Sequence, residues 1–325
     1  MAQPLVWIHG AGPQAPPAAL KHEADTIVFG RDMASTRLAY YAGIRWPAPT
    51  GGGPAAAPGR TNRARRVRAI RSTMDPAQTP EEAAEAIVDA TLATPAPMPA
   101  ATSTRGRSSA TAAAATLPAP SRADVRQATR LVEQLYREAD RVAARSSNVS
   151  PRGAALGISF PDPIFRFVVG KFASDAVDYL YGPYTEAMRA PVRAAFLEPP
   201  TPRVIVAHSL GSVIAYDVLS EPALADLQVD LLVTFGSPLG IGNIQNRLRD
   251  GAGRPNPVPT QLSAWDNFAD RFDPVALDAT LHDDFRPPKD FAHDEAVDNQ
   301  ARNNHDMPGY LAIGVVRDAI VAAAG

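Results

Sequence analysis

The chain has 325 residues, 45% of them apolar, with 32 Lys plus Arg against 34 Asp plus Glu and a formal charge of −2. That balance gives no general attraction to nucleic acid or to an anionic membrane, and the apolar share is enough for the core of one large α/β domain with insertions. Cysteine is absent, which excludes disulfides, thiolate metal sites and a Cys nucleophile together.

The first residues, MAQPLVWIHGAG, lack a basic stretch followed by a long apolar run, so no signal peptide is expected. No run of about 18 apolar residues occurs, so no membrane-spanning helix is expected either. The chain reads as a soluble, cytoplasmic protein. Residues 5–10, LVWIHG, form a short apolar run ending at Gly and predict a buried strand feeding a loop. A helix is expected within 16–30, and TRLAYYAGIRW at 36–46 reads as a second strand. Composition then changes: 47–60 and 94–121 are rich in Pro, Gly, Ala and Ser and read as low-complexity linkers.

Helical patterns lie between and after them. PEEAAEAIVDATLA at 80–93 opens with two glutamates, which suit the helix dipole. Residues 121–146 place Val125, Ala128, Leu131, Val132, Leu135 and Val142 on one amphipathic face. Residues 161–197 are more apolar and aromatic and predict two or more helices broken near Gly182 and Pro183. Further on, strands are expected at 204–207, 229–235 and near 261–268, with helices at 210–219 and over 307–324, the last carrying Pro308 in its first turn. Strands alternating with helices imply a mostly parallel sheet with helices on both faces.

The sequence RVIVAHSLGSVIAYDVL at 203–219 runs a buried strand straight through AHSLGS into a helix. A strand, a tight turn at Ser209 and a helix have the geometry of a nucleophile elbow. Small residues two positions either side of the Ser let the chain pass close to itself; here they are Ala207 and Gly211, where the usual pattern has Gly at both. A Ser that merely caps the helix is the bland reading of the same residues. A serine hydroxyl needs a base, and the base needs an acid that holds its tautomer. In elbow hydrolases these follow in the order Ser, acid, His. His305, just before the last helix, is the best-placed base. His282 and His293 lie in acidic sequence and read as solvated. His208, adjacent to Ser209, cannot easily turn back onto it and reads as structural. Asp273, followed by Pro, is the favoured acid, with Asp270, Asp266 and Asp278 as competitors. The backbone N–H of Leu210, and that of Ala11 in HGAG after the first strand, are the candidate oxyanion donors.

With WIHGAG, VIVAHSLGS, LLVTFGSPLG, DPVA (273–276) and NNHDMPGYL, the chain resembles α/β-hydrolase fold serine hydrolases of the esterase and lipase type. The resemblance covers roughly 4–46 and 203–323. It implies an α/β-hydrolase core at 1–46 and 201–325, a triad of Ser209, Asp273 and His305, oxyanion donors at Ala11 and Leu210, and no cofactor or metal. The expected reaction is hydrolysis of a carboxylic ester in a small-molecule or lipid-like acyl substrate. Thioesterase, acyltransferase, peptidase or phospholipase chemistry would use the same residues, and a non-catalytic hydrolase-like scaffold is the alternative of a different class. Residues 47–200 have no counterpart in the resemblance. Within them 122–200 is expected to form a helical cap over an apolar acyl pocket, against the reading that these helices simply cover one face of the sheet.

Overall fold

The computed structural model describes residues 2–46, 58–75, 77–92, 119–149, 163–248, 256–286, 288, 291–301 and 303–325. Of the two segments expected as linkers, 47–60 and 94–121, residues 47–57 and 94–118 lie outside the described residues. Among the described residues six strands form one sheet: β1 (Leu5–Ile8), β2 (Thr36–Ala39), β3 (Val204–His208), β4 (Leu231–Phe235), β5 (Trp265–Asp270) and β6 (Ala292–Val297). Their order is β2-β1-β3-β4-β5-β6 and every neighbouring pair is parallel. The protein is thus an α/β fold.

The central strands are buried on both faces, which is why they read as continuous apolar runs rather than as alternation. Successive residues still point to opposite faces. Leu5 and Trp7 of β1 join one apolar cluster with Val204 and Val206 of β3, beneath α1 (Pro17–Phe29) and the C-terminal helices α10 (Met307–Ala312) and α11 (Gly314–Ala324). Val6 and Ile8 join the other cluster with Ile205 and Ala207. On that face lie α7 (Thr185–Leu197) and α8 (Leu210–Leu219), and the cluster continues into α3 (Pro58–Ser72), α4 (Pro80–Leu92), α5 (Arg122–Val149), α6 (Pro163–Leu180) and α9 (Gly242–Leu248). The helices of the insertion therefore share a core with the sheet. Helix α6 is the joint: it packs against α3, α4 and α5 and also against α7 and α8. Polar ties reinforce it, since Tyr179 of α6 and Arg189 of α7 both donate to Asp217 of α8.

Several boundaries differ from expectation. The second strand stops at Ala39, and residues 42–45 form a short helix, α2 (Ala42–Arg45). The cause is His9, whose Nε2 accepts the N–H groups of Tyr41 and Ala42 at 3.1 and 3.3 Å and turns the chain out of the sheet. Helix α3 begins inside the first expected linker. It is Arg-rich without an apolar stripe, so its periodicity is silent, and it docks through Ile70 and the buried Arg66. Strand β4 begins at Leu231, Val229 making only an isolated bridge to Leu262, and β5 runs from Trp265 to Asp270, later than expected. Strand β6, AHDEAV, lies where solvated loop is expected from the sequence; it is an edge strand with one residue buried, three half-buried and two exposed, so polar residues are accommodated along it. The last helix is two helices, broken where Ile313 adopts an extended backbone. The break near Gly182 is where it was expected, between α6 and α7.

Candidate active site

The strand order reverses at β1 and β3: the chain steps one way from β1 to β2 and the other way from β3 onward. Loops leaving the carboxyl ends of such a strand pair diverge and open a crevice, the usual ligand position in open parallel sheets. The two loops here are HGAG after β1 and the turn at Ser209 after β3.

Ser209 lies between the last residue of β3 and the first of α8 with φ 54 and ψ −129. Positive φ is unfavourable for a residue with a Cβ, and a Ser held there is strained by its surroundings. Close approach explains Gly211: a Cβ on it would meet the His9 carbonyl oxygen at 2.4 Å and Ile8 Cγ2 at 2.9 Å. Ala207 faces the apolar core, where a methyl group is accommodated. The Ser209 side chain does not cap α8. Its Oγ lies 2.9 Å from His305 Nε2.

His305 Nδ1 lies 2.8 Å from both carboxylate oxygens of Asp273, so Nδ1 carries the proton and Nε2 faces the hydroxyl as an acceptor. Asp273 sits three residues past the end of β5. Its Oδ1 also accepts the N–H groups of Val275 and Ala276 at 2.8 and 3.1 Å, a turn that the Asp-Pro sequence sets up. Its Oδ2 accepts the Tyr310 hydroxyl. Ser209, Asp273 and His305 are all buried.

The competing acids do other work. Asp270, the last residue of β5, accepts the N–H groups of Phe272 and Asn299 at 2.7 and 2.6 Å and the amide of Asn304 at 3.1 Å. It fixes the loop that ends in His305, and burial raises its pKa. Asp266 points to β6, 3.7 Å from the exposed His293. Asp278 is exposed and binds Thr280. His282 pairs with Asp294 at 2.8 Å, away from Ser209.

His208 is structural, in a specific way. Burial first, and the neighbouring His305 second, push its pKa well below the ordinary value, so it is neutral. Its Nε2 donates to the His305 carbonyl at 2.8 Å and holds the backbone that carries the candidate base.

A cleft of about 330 Å³ opens beside these groups. Ala11, Ser209 and His305 line it, as do Val168, Lys171 and Phe172 of α6. Helix α6 thus both covers the sheet-side core and walls the cleft, so the two readings of the insertion meet in one element. The wall is not purely apolar: Gln14, Lys171 and Asn303 stand among the hydrophobic residues. The Lys171 ammonium sits 5.3 Å from the Phe167 ring, and burial lowers its pKa. Ala11 lines the cleft and Leu210 is the first residue of α8, where backbone N–H groups lack helical partners.

Among the described residues, no group of three or more His, Asp or Glu side chains is placed to hold a metal ion, and no helix is long and apolar enough to cross a membrane. Sequence reading missed Tyr310, the role of Asp270, and the buried polar residues of α6. For the last a signal existed: Asp175 and Asp178 recur one turn apart within an otherwise apolar segment.

No protein-family model matches the chain, and neither the curated proteins nor the solved structures searched contain a match to it.

Proposed function

We propose that the protein is a serine hydrolase of the α/β-hydrolase type that cleaves a carboxylic ester through an acyl-enzyme. One observation carries this reading: His305 Nε2 lies 2.9 Å from Ser209 Oγ while its Nδ1 is held at 2.8 Å by a buried Asp273. A nucleophile, a base and an orienting acid in hydrogen-bond sequence is the arrangement that activates a hydroxyl. The strained elbow and the reversal of strand order at the same place support it.

In the proposed cycle, Ser209 Oγ attacks the substrate carbonyl as His305 Nε2 takes its proton. Asp273 stabilises the imidazolium that results. The oxyanion sits between the N–H groups of Leu210 and Ala11, the former at a helix N-terminus whose dipole favours negative charge. Collapse of the tetrahedral species breaks the ester C–O bond, and His305 gives its proton to the departing alcohol. Water, deprotonated by His305, then attacks the acyl-enzyme, releasing the acid and restoring Ser209. The size of the cleft and its mixed lining favour a short acyl group bearing polar substituents over a long alkyl chain.

Labelling with a fluorophosphonate probe tests the reading. Ser209 should be modified, Ser209→Ala should not be labelled, and hydrolysis of a short p-nitrophenyl ester should fall on the order of 10³-fold or more in that variant. A folded Ser209→Ala protein with near-normal turnover refutes the assignment.

A further inference from the structure

Val168, Lys171, Phe172 and Asp175 occupy positions i, i+3, i+4 and i+7 of α6 and so share a helix face. The first three line the cleft. Asp175 is 1% exposed and lies deeper, where a carboxylate is costly unless it is paired. Among the described residues two groups donate hydrogen bonds to it. Its Oδ2 accepts the backbone N–H of Gly12 at 2.7 Å, and the indole Nε1 of Trp46 donates to both its oxygens at 3.0 Å. Burial raises its pKa, and the donors together with the buried Arg45 and Arg66 act against that rise and favour the charged form. Arg45 is in turn paired with Asp178, one helical turn further along α6.

Gly12 closes the loop that carries the candidate oxyanion donor, and its φ of +88 is a conformation that side chains rarely adopt. The other end of that loop is also held. His9 Nε2 accepts two backbone N–H groups, so its Nδ1 carries the proton and donates to the Gly10 carbonyl at 2.7 Å. Gln14 Nε2 donates to the Ala11 carbonyl at 3.0 Å. In a trans peptide the N–H points opposite to the C=O. Fixing the Gly10 carbonyl therefore fixes the Ala11 N–H, and fixing the Gly12 N–H fixes the adjoining Ala11–Gly12 peptide unit, so both planes that flank the Ala11 Cα are held.

We infer that Asp175 is a positioning residue for the oxyanion loop: by gripping Gly12 from helix α6, it holds the Ala11 N–H in place for the tetrahedral intermediate. This rests on the serine-hydrolase reading above. It makes the insertion part of the catalytic apparatus, although Asp175 itself touches no reacting atom. The benefit is preorganisation, since a donor already aimed at the developing charge needs no rearrangement during reaction.

The test uses the full chain, with active sites counted by fluorophosphonate titration so that rates are per labelled site. Asp175→Asn keeps the volume but turns an amide NH2 towards one of the two donors. Trp46→Phe leaves the Gly12 bond and removes the indole donor, and serves if Asp175→Asn folds poorly. For a short ester, Asp175→Asn should lower kcat about 10- to 100-fold with KM within about threefold, somewhat less than the loss of a whole donor. The affinity for a boronic acid that mimics the tetrahedral state should fall in parallel with kcat/KM. Trp46→Phe should show the same pattern at a few-fold. A merely structural residue would reduce the number of labelled sites and leave kcat per site and boronate affinity unchanged. That result, in either variant, overturns the inference. A wild-type chain that neither labels nor turns over removes the hydrolase reading, and this role with it, whereas an active wild type with unaffected variants removes the role alone.

Discussion

The Tyr310 hydroxyl donates to Asp273 Oδ2 at 2.8 Å, on the carboxylate that also holds His305. The same hydroxyl oxygen accepts the Asp270 N–H at 3.0 Å, which ties the start of the C-terminal helices to the end of β5. Burial raises the Tyr310 pKa well above its ordinary value, so it stays a donor across the working range. Tyr310→Phe should keep the fold and lower kcat several-fold, because Asp273 loses one of the donors that set its orientation. Unchanged kcat would remove Tyr310 from the catalytic support.

The two acids at the end of β5 should separate cleanly. Asp273→Asn should cost on the order of 10⁴-fold in kcat, since an amide no longer favours the tautomer that leaves His305 Nε2 free to accept a proton. Asp270→Asn should instead cost stability, about 1–3 kcal/mol, because it presents an NH2 to N–H groups now bound by a carboxylate. Its rate per labelled site should stay within a few-fold of wild type. Thermal melting and titrated turnover on both variants decide the matter, and a crippled but stable Asp270→Asn would exchange the two roles.

Acid sensitivity should trace in part to His9. Burial lowers its pKa from 6.5 to about 4. The unfolded chain takes up a proton as pH falls through about 6.5, and the folded chain resists until about 4. Stability from this group is therefore fully present above the upper value and is lost as pH falls through the window, on the order of 3 kcal/mol in all. His208, also lowered by burial, acts in the same sense, while the raised Asp175 and Asp270 act in the opposite sense towards acid. Denaturant unfolding of His9→Gln across that window should show a shallower pH slope than wild type. Equal slopes would count against His9.

Phe165 and Phe172 are both buried, but only Phe172 lines the cleft. Phe165→Ala should cost about 3–5 kcal/mol and leave the preference among acyl chain lengths unchanged. Phe172→Ala should lose stability as well and shift that preference towards longer or bulkier acyl groups. An unshifted profile for Phe172→Ala would mean that α6 covers the sheet without shaping the acyl site.

The local geometry around the candidate site is written into adjacent residues. VIVAH followed by SLGS writes a strand, a sharp turn and a helix into adjacent residues, so Ser209 and its small neighbour Gly211 are legible without a partner. His305 is legible from its place before the last helix, and Asp273 from the Pro that follows it. These signals are short-range: each depends on residues within a few positions. The remaining relationships are long-range and arise from the packing of distant elements. Strand β6 has no alternation to reveal it, because an edge strand need not bury a full face. Helix α3 has no apolar stripe, because it docks partly through a buried arginine. Asp270 and Asp273 differ by three positions in one loop, and their roles part only when His305 and Asn299 arrive from more than 25 residues away. Asp175 meets Gly12 across 163 positions, and no local pattern specifies that meeting. The pairing exists because α6 packs over the crevice between β1 and β3, and packing of whole elements sets which buried donor faces which buried acceptor.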